Sequence, residues 1–327
     1  MRILLRKTWN HNIGNGFLGK GALATLERAF PDAKIVELGH YGRFINQRQY
    51  SLSRKVAARL GQGLESDEKK RMKFFSSVDP DLVVLPGPIL DETAYRIFEP
   101  TLRQAHENDV PIFLLGTGSP SYSSETQAYI HEMFNKYPPD AILTRNPLAY
   151  ELYSDRIPRA YNGIDNAFYI DEWFDPVRID HPFTALTFDK TDEPKIEATR
   201  TVIRPQHRPY RPYILSIFDR IKRKLSIGWQ MVRYDDRNWF FSDSLEDYLF
   251  VYGNAETTHT DRIHAAVPTV VYGNQAKLYL DSPRTNIFDK DFIEQKNGYL
   301  SVNRSRLEDS KAQQVQKLRQ YWEDSQS

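Results

Sequence analysis

Five short runs rich in Val, Ile and Leu recur along the first 155 residues, at 2–5, 34–37, 81–85, 111–115 and 140–143. Runs this short, bounded by polar residues, are the pattern of strands buried on both faces. Between them, residues 21–30, 91–108 and 123–136 carry apolar side chains at helical spacing, as in Ala22, Leu23, Leu26, Ala29 and Phe30. Strand and helix in alternation predict a parallel sheet covered by helices, which takes ligands at the carboxyl ends of its strands. From about Ile170 the texture changes. Residues 183–188 read as the strand opening a second unit, followed by a strand at 229–233, an acidic-capped helix at 243–251 and a strand at 268–272. In the polar tail, Leu307, Val315, Leu318 and Trp322 are spaced as a helix that packs back onto the body. The expected fold is α/β, two Rossmann-like domains facing a cleft, at 1–172 and 173–327.

Composition narrows the function. A chain of 327 residues exceeds what one hydrophobic core usually needs, and 40% hydrophobic with 27% charged residues is a soluble, globular mixture. No apolar run approaches the roughly 20 residues that span a bilayer, and the opening residues read as a first strand, not a signal peptide. A cytoplasmic location is expected. Lys plus Arg number 44 against 43 for Asp plus Glu, which excludes a uniformly basic coat and with it non-specific nucleic-acid binding. Any anion site must be local. The absence of cysteine excludes disulfides, a thiolate nucleophile and Cys-ligated metal. Between Lys195 and Lys224, nine Lys or Arg residues face only Glu197 and Asp219. Such a run is either a solvated face or a contact with an anionic lipid surface or a diphosphate-bearing acceptor.

Three loops on the expected ligand edge hold small or turn-forming residues that let a backbone approach a ligand: residues 12–16, 86–88, and 116–120 with Gly116 and Gly118. The most informative stretch is 256–266, which reads as a strand, a polar turn and a helix start. Thr260 or Asp261 is placed to cap that helix. Residues two apart within a helix point to nearly opposite faces, so Arg262 and His264 share a ligand only if the turn is a helix N-terminus. The competing reading pairs Arg262 with a carboxylate and buries His264 as a core residue. His259 and His264 lie five apart without neighbouring carboxylates at helical spacing, so no metal site is indicated.

With those residues in hand, the chain resembles the polysaccharide pyruvyl transferase family. Asn12-Ile-Gly-Asn15 resembles the family's Asn-x-Gly-Asp entry loop, and Thr144-Arg-Asn146 its Thr/Val-Arg-Asp turn. Residues 244–249 followed by Thr260-Asp-Arg-Ile-His264 resemble its Tyr-Leu helix and Arg-Leu/Val-His signature. Tyr272-Gly-Asn274, Lys277 and Pro283-Arg284 fit downstream. Asn15 stands where the family commonly has Asp, and Pro86-Gly-Pro88 where a Gly-rich run is common.

The resemblance implies a glycosyltransferase-B-like fold that uses phosphoenolpyruvate as co-substrate, without a cofactor, to place a pyruvate ketal on a saccharide acceptor, either free or lipid-linked. It maps the family's donor-binding arginine to Arg145 and its Arg-x-His pair to Arg262 and His264, and Ile263, Lys277, Gly116 and Gly118 complete the donor-side candidates. His11, Asn12, Asn15 and His131 fall to the acceptor side, His11 or His131 as candidate base. The chemistry suits these types: two guanidinium groups match the close carboxylate and phosphate of the donor, and an imidazole can protonate its methylene carbon. A nucleotide-sugar glycosyltransferase of the same fold and a non-catalytic glycan-binding member are the alternatives.

Overall fold

The computed structural model describes residues 1–7, 12–39, 75–188, 191–198, 200–207 and 238–326. The first sheet is wholly parallel. Its strands are β1 (Arg2–Arg6), β2 (Lys34–Leu38), β3 (Leu82–Pro86), β4 (Ile112–Thr117), β5 (Ala141–Thr144) and β6 (Arg159–Asn162), ordered β2-β1-β3-β4-β5-β6. Helices α1 (Ile13–Ala29), α2 (Glu92–Glu107), α3 (Ser124–Lys136) and α4 (Pro147–Tyr153) connect or cover these strands, and a 3-10 turn, Asn166–Tyr169, leads into α5 (Ile170–Trp173).

The second sheet is mixed. It contains β7 (Phe183–Thr187), β8 (Val202–Pro205), β9 (Trp239–Phe240), β10 (Ala255–Thr260), β11 (Gln275–Leu278), β12 (Ile293–Lys296) and β13 (Tyr299–Val302), ordered β12-β13-β11-β10-β7-β8-β9, with β12 and β13 forming an antiparallel hairpin at one edge. Helices α6 (Leu245–Asn254) and α7 (Ile263–Val271) pack on it, and α8 (Arg304–Gln326) returns to the first sheet, where Tyr321 Oη donates to the Ala160 carbonyl at 2.9 Å. The architecture is the expected pair of Rossmann-like units, glycosyltransferase-B-like.

The period of two along the buried strands sorts the first sheet's side chains into two layers. Leu4, Val83, Leu85, Ile112, Leu114 and Ile142 meet α2 and α3 on one face. Ile3, Leu5, Leu82, Val84, Phe113 and Leu143 face α1 on the other, in a cluster that continues through α6 and α7 to the second sheet. The two sheets therefore share an apolar core, with α1 as its hub.

Two sequence expectations change. Residues 12–16 are not a loop: Asn12 caps α1, its side chain accepting from the Gly14 N–H at 3.3 Å, and the helix begins at Ile13. Four glycines in eight residues, at 14, 16, 19 and 21, weaken a helical pattern, yet this helix needs them. A Cβ at Gly14 would sit 2.7 Å from that of His264, and one at Gly21 would strike the Asn166 carbonyl. Residues 268–272 are not a strand; they close α7, whose side chains are all buried. A short apolar run buried all round looks the same in either conformation. The strand expected at 229–233 lies outside the described residues, as does the basic segment beyond His207. Within its described part, Arg204 is bidentate to Glu193 at 2.8 Å and Arg200 meets Glu256. No helix among the described residues is long and apolar enough to cross a membrane.

Candidate active site

The carboxyl ends of the strands in the two sheets meet. From the first sheet, Arg145 follows β5 directly, its N–H donating to the Thr117 carbonyl at 2.9 Å. Asn146 then caps α4 by accepting from the Ala149 N–H at 2.8 Å. These two bonds hold the Arg145 backbone, and its side chain is buried. Its Nη1 donates to Asp165 Oδ2 at 3.0 Å, while its buried Nε has no hydrogen-bond partner among the described residues.

Asp165 follows β6 and is fully buried. Its Oδ1 accepts from the Ala167 N–H at 2.9 Å, capping the 3-10 turn, and its Oδ2 is shared between Arg145 and His264 Nε2, the latter at 3.5 Å. Burial alone would push this carboxyl up. The His264 ring, the Arg145 guanidinium and the Ala167 N–H outweigh burial and hold it at about 2.

From the second sheet, β10 ends in a turn that delivers Arg262 and His264. The Thr260 hydroxyl donates to the Thr187 carbonyl at 2.9 Å and accepts from the Arg262 N–H at 2.8 Å. Asp261 is occupied by the segment that follows β7, accepting from the Thr191 N–H at 2.7 Å and hydroxyl at 3.1 Å. Neither residue caps α7. Arg262 holds the N-cap position without a side-chain cap, and His264 departs from helical geometry at φ −84°, ψ 17°. Arg262 and His264 thus both stand at the helix head, before the regular turns begin. Burial pushes the His264 ring below its ordinary 6.5. Asp165 pulls upward against it, and Arg145 and Arg284 add to the downward push.

Of the expected donor residues, the structure gathers Arg145 and His264 on one carboxylate, with Arg262 and Ile263 on the same turn as His264. Gly118 lies against Arg145, where an added Cβ would be 2.6 Å from Nε. Gly116 takes the left-handed φ of 57° and faces the Asn166 amide, which donates to the Leu115 carbonyl at 2.9 Å. Lys277 is elsewhere. Its Nζ lies 5.6 Å from the rings of Tyr279 and Tyr299, beside His259, on the sheet face opposite α7. Alternation explains this: Thr258 and Thr260 face α7, so His259 and its neighbour Lys277 face away.

Among the acceptor candidates, Asn12 and the buried Asn15 form the head of α1, against which His264 packs. His131 is remote. It sits on α3 with its ring centroid 5.6 Å from that of Tyr153, in the layer of the first sheet that faces away from α1. His11 lies outside the described residues.

The sequence reading passed over Asp165 and His207. Asp165 had a faint signal, a Gly163-Ile-Asp-Asn turn after a possible strand, but β6 is short and polar enough to escape notice. His207, buried two residues past β8, accepts from the Ile13 N–H at 3.2 Å through its carbonyl, and its Nε2 lies 2.6 Å from the Tyr252 hydroxyl. Burial, with Arg262 and His264 nearby, holds its ring well below 6.5. Arg284 had been noted without a role.

Two Rossmann-like units that meet at Arg145, Asp165 and His264 define a glycosyltransferase-B-like protein. The chain belongs to the polysaccharide pyruvyl transferase family, whose model matches residues 12–273. Among solved structures it is similar to a UDP-N-acetylglucosamine 2-epimerase at TM-score 0.54 and 10% identity, covering 98% of this chain and 90% of that one. It is also similar to S. aureus MnaA in complex with UDP, at TM-score 0.52 and 11% identity, covering 99% and 90%. A putative UDP-N-acetylglucosamine 2-epimerase from Listeria monocytogenes gives TM-score 0.51 and 10% identity, covering 97% and 90%. These likenesses establish the fold. No curated protein matches the chain by sequence.

Proposed function

We propose that the protein moves the enolpyruvyl unit of phosphoenolpyruvate onto a sugar of a polysaccharide or its precursor and closes it as a pyruvate ketal. The observation that carries this reading is the fully buried Asp165 held between Arg145 and His264, one from each sheet, within a family whose name specifies pyruvyl transfer. Arg145 and Arg262 clamp the donor's carboxylate and phosphate. Asp165 orients the His264 ring and stabilises it once charged, as a buried carboxylate does for a catalytic histidine.

The arriving anion offsets the downward push of Arg145 and Arg284, which favours the protonated His264 ring. His264 then gives that proton to the donor's methylene carbon. One sugar hydroxyl forms a C–O bond at the electrophilic carbon, and the second hydroxyl displaces phosphate as the bond to the phosphate oxygen breaks. Of the two hydroxyl protons released, one restores His264 and the other leaves on phosphate. Asn12 and Asn15 at the head of α1 lie on the acceptor side. This reading uses phosphoenolpyruvate as co-substrate and places the reaction in the cytoplasm, where the segment 195–224 would engage a lipid-linked acceptor.

Thermal-shift titration with phosphoenolpyruvate beside nucleotide sugars tests it, because a ligand of the native state alone raises apparent stability. Saturable stabilisation by phosphoenolpyruvate, lost in Arg262→Ala, is expected. A response to a nucleotide sugar instead would make this a glycosyltransferase, and a response to neither would favour a non-catalytic glycan-binding protein.

A further inference from the structure

We propose that Gln314, on α8 and beyond the family-matched segment, is a positioning residue: it fixes the turn that carries Asp165, and through Asp165 the imidazole of His264. The inference rests on reading Asp165 and His264 as the working pair.

The Gln314 side chain is fully buried, and its Oε1 accepts from the Ile164 N–H at 2.8 Å, one residue before Asp165. The approach is close enough that a Cβ on Gly163 would collide with that oxygen. Five residues past Ile164, the Tyr169 hydroxyl donates to the Lys311 carbonyl at 2.8 Å. Adjacent turns of α8 therefore grip the 163–169 segment on both sides of Asp165. Only the oxygen of Gln314 is engaged, its buried Nε2 having no partner among the described residues.

Helix α8 does not need Gln314 to stay docked. The buried Lys311 Nζ meets Asp171 at 2.8 Å, Glu172 at 3.2 Å and Glu308 at 3.0 Å, and Arg319 Nε donates to the Ala29 carbonyl at 2.7 Å. Loss of Gln314 would free the Ile164 N–H and loosen Asp165 while these anchors remain. Among the described residues, the groups acting on His264 are Asp165 after β6, Arg145 after β5 and Arg284 after β11, and His264 in turn acts on His207 after β8, as does Arg262. Asp165 alone pulls the ring upward among the groups acting on it, so a loosened Asp165 lowers the His264 midpoint.

The test is an NMR titration of His264 in the ligand-free protein, which stands or falls independently of the donor's identity. In Gln314→Met the midpoint should fall by about one unit. In Leu318→Ala, which removes a buried side chain from the same helix, melting should drop while the midpoint stays. If the Met variant does not fold, Gln314→Asn withdraws the oxygen and should shift the midpoint in the same direction. A midpoint unchanged in the folded Gln314 variant, or moved equally by Leu318→Ala, would overturn the proposal.

Discussion

Asp165 and Asp261 are both fully buried, both follow a strand at the carboxyl edge of a sheet, and both stand beside an arginine. Their partners differ. Asp261 accepts from the Thr191 N–H and hydroxyl, bonds that pin a neighbouring segment, and lies 3.8 Å from Arg262 Nε. Asp165 gives one oxygen to its own turn and offers the other to two side chains that come from different sheets. A buried carboxylate engaged by backbone fastens the fold, whereas one shared between a guanidinium and an imidazole sets the charge and orientation of groups that can act on a ligand.

Replacing each aspartate by its amide breaks the comparison most sharply. Asp165→Asn should lower transfer about a thousandfold, since His264 loses the anion that orients and charges it. Asp261→Asn keeps an oxygen for the Thr191 N–H and should leave transfer within about tenfold of the parent. Equal losses, measured as kcat with phosphoenolpyruvate, would erase the distinction.

Removing the cation comes next. Arg145→Ala leaves Asp165 charged, buried and short of its guanidinium partner, at a cost of about 3–5 kcal/mol by denaturant unfolding. Arg145→Ala with Asp165→Asn should recover part of that loss, because no buried charge is then stranded. A purely additive double variant would mean that the two side chains stabilise the fold independently.

Acid acts through the same groups. His264, His207 and His259 all have folded values below the ordinary 6.5, so an unfolded chain binds protons that the fold refuses. Stability is therefore full above about pH 6.5 and falls as the pH drops below it. Asp165, held at about 2 against an ordinary 3.8, adds a second loss that begins near 3.8 and runs toward 2. Melting temperature against pH should show the first decline before any carboxylate titrates, and His264→Gln should shrink it. A flat profile from pH 8 to 5 would contradict the burial of neutral rings.

How much of this was legible beforehand follows from the size of each signal. The alternation of apolar runs exposed the parallel sheet because strands buried on both faces leave few polar residues to confuse the pattern. Arg145, Arg262 and His264 were legible through their turns. Lys277 was misplaced because a motif fixes a position along the chain, whereas the pleat of β11 decides which face the side chain takes. Helix α1 looked shorter than it is because the glycines that let His264 and Asn166 approach also dilute the helical signal. Asp165 was missed since its importance arises only when two distant turns close on it: its neighbours Arg145 and His264 are 20 and 99 residues away.

The smallest expected effect probes the comparison most finely. Gly118 has no left-handed constraint, so Gly118→Ala is tolerated by the backbone. Its new Cβ would lie 2.6 Å from Arg145 Nε and 3.3 Å from the Tyr122 hydroxyl, so the guanidinium must shift while the β4 end stays in place. Because the displaced group is the far part of a flexible side chain, melting should barely change, and the shift should appear as weaker phosphoenolpyruvate binding, about three- to tenfold. An unchanged donor affinity in Gly118→Ala would show that the position of Arg145 against Asp165 is not what the donor reads, and would move the clamp to Arg262 and Arg284.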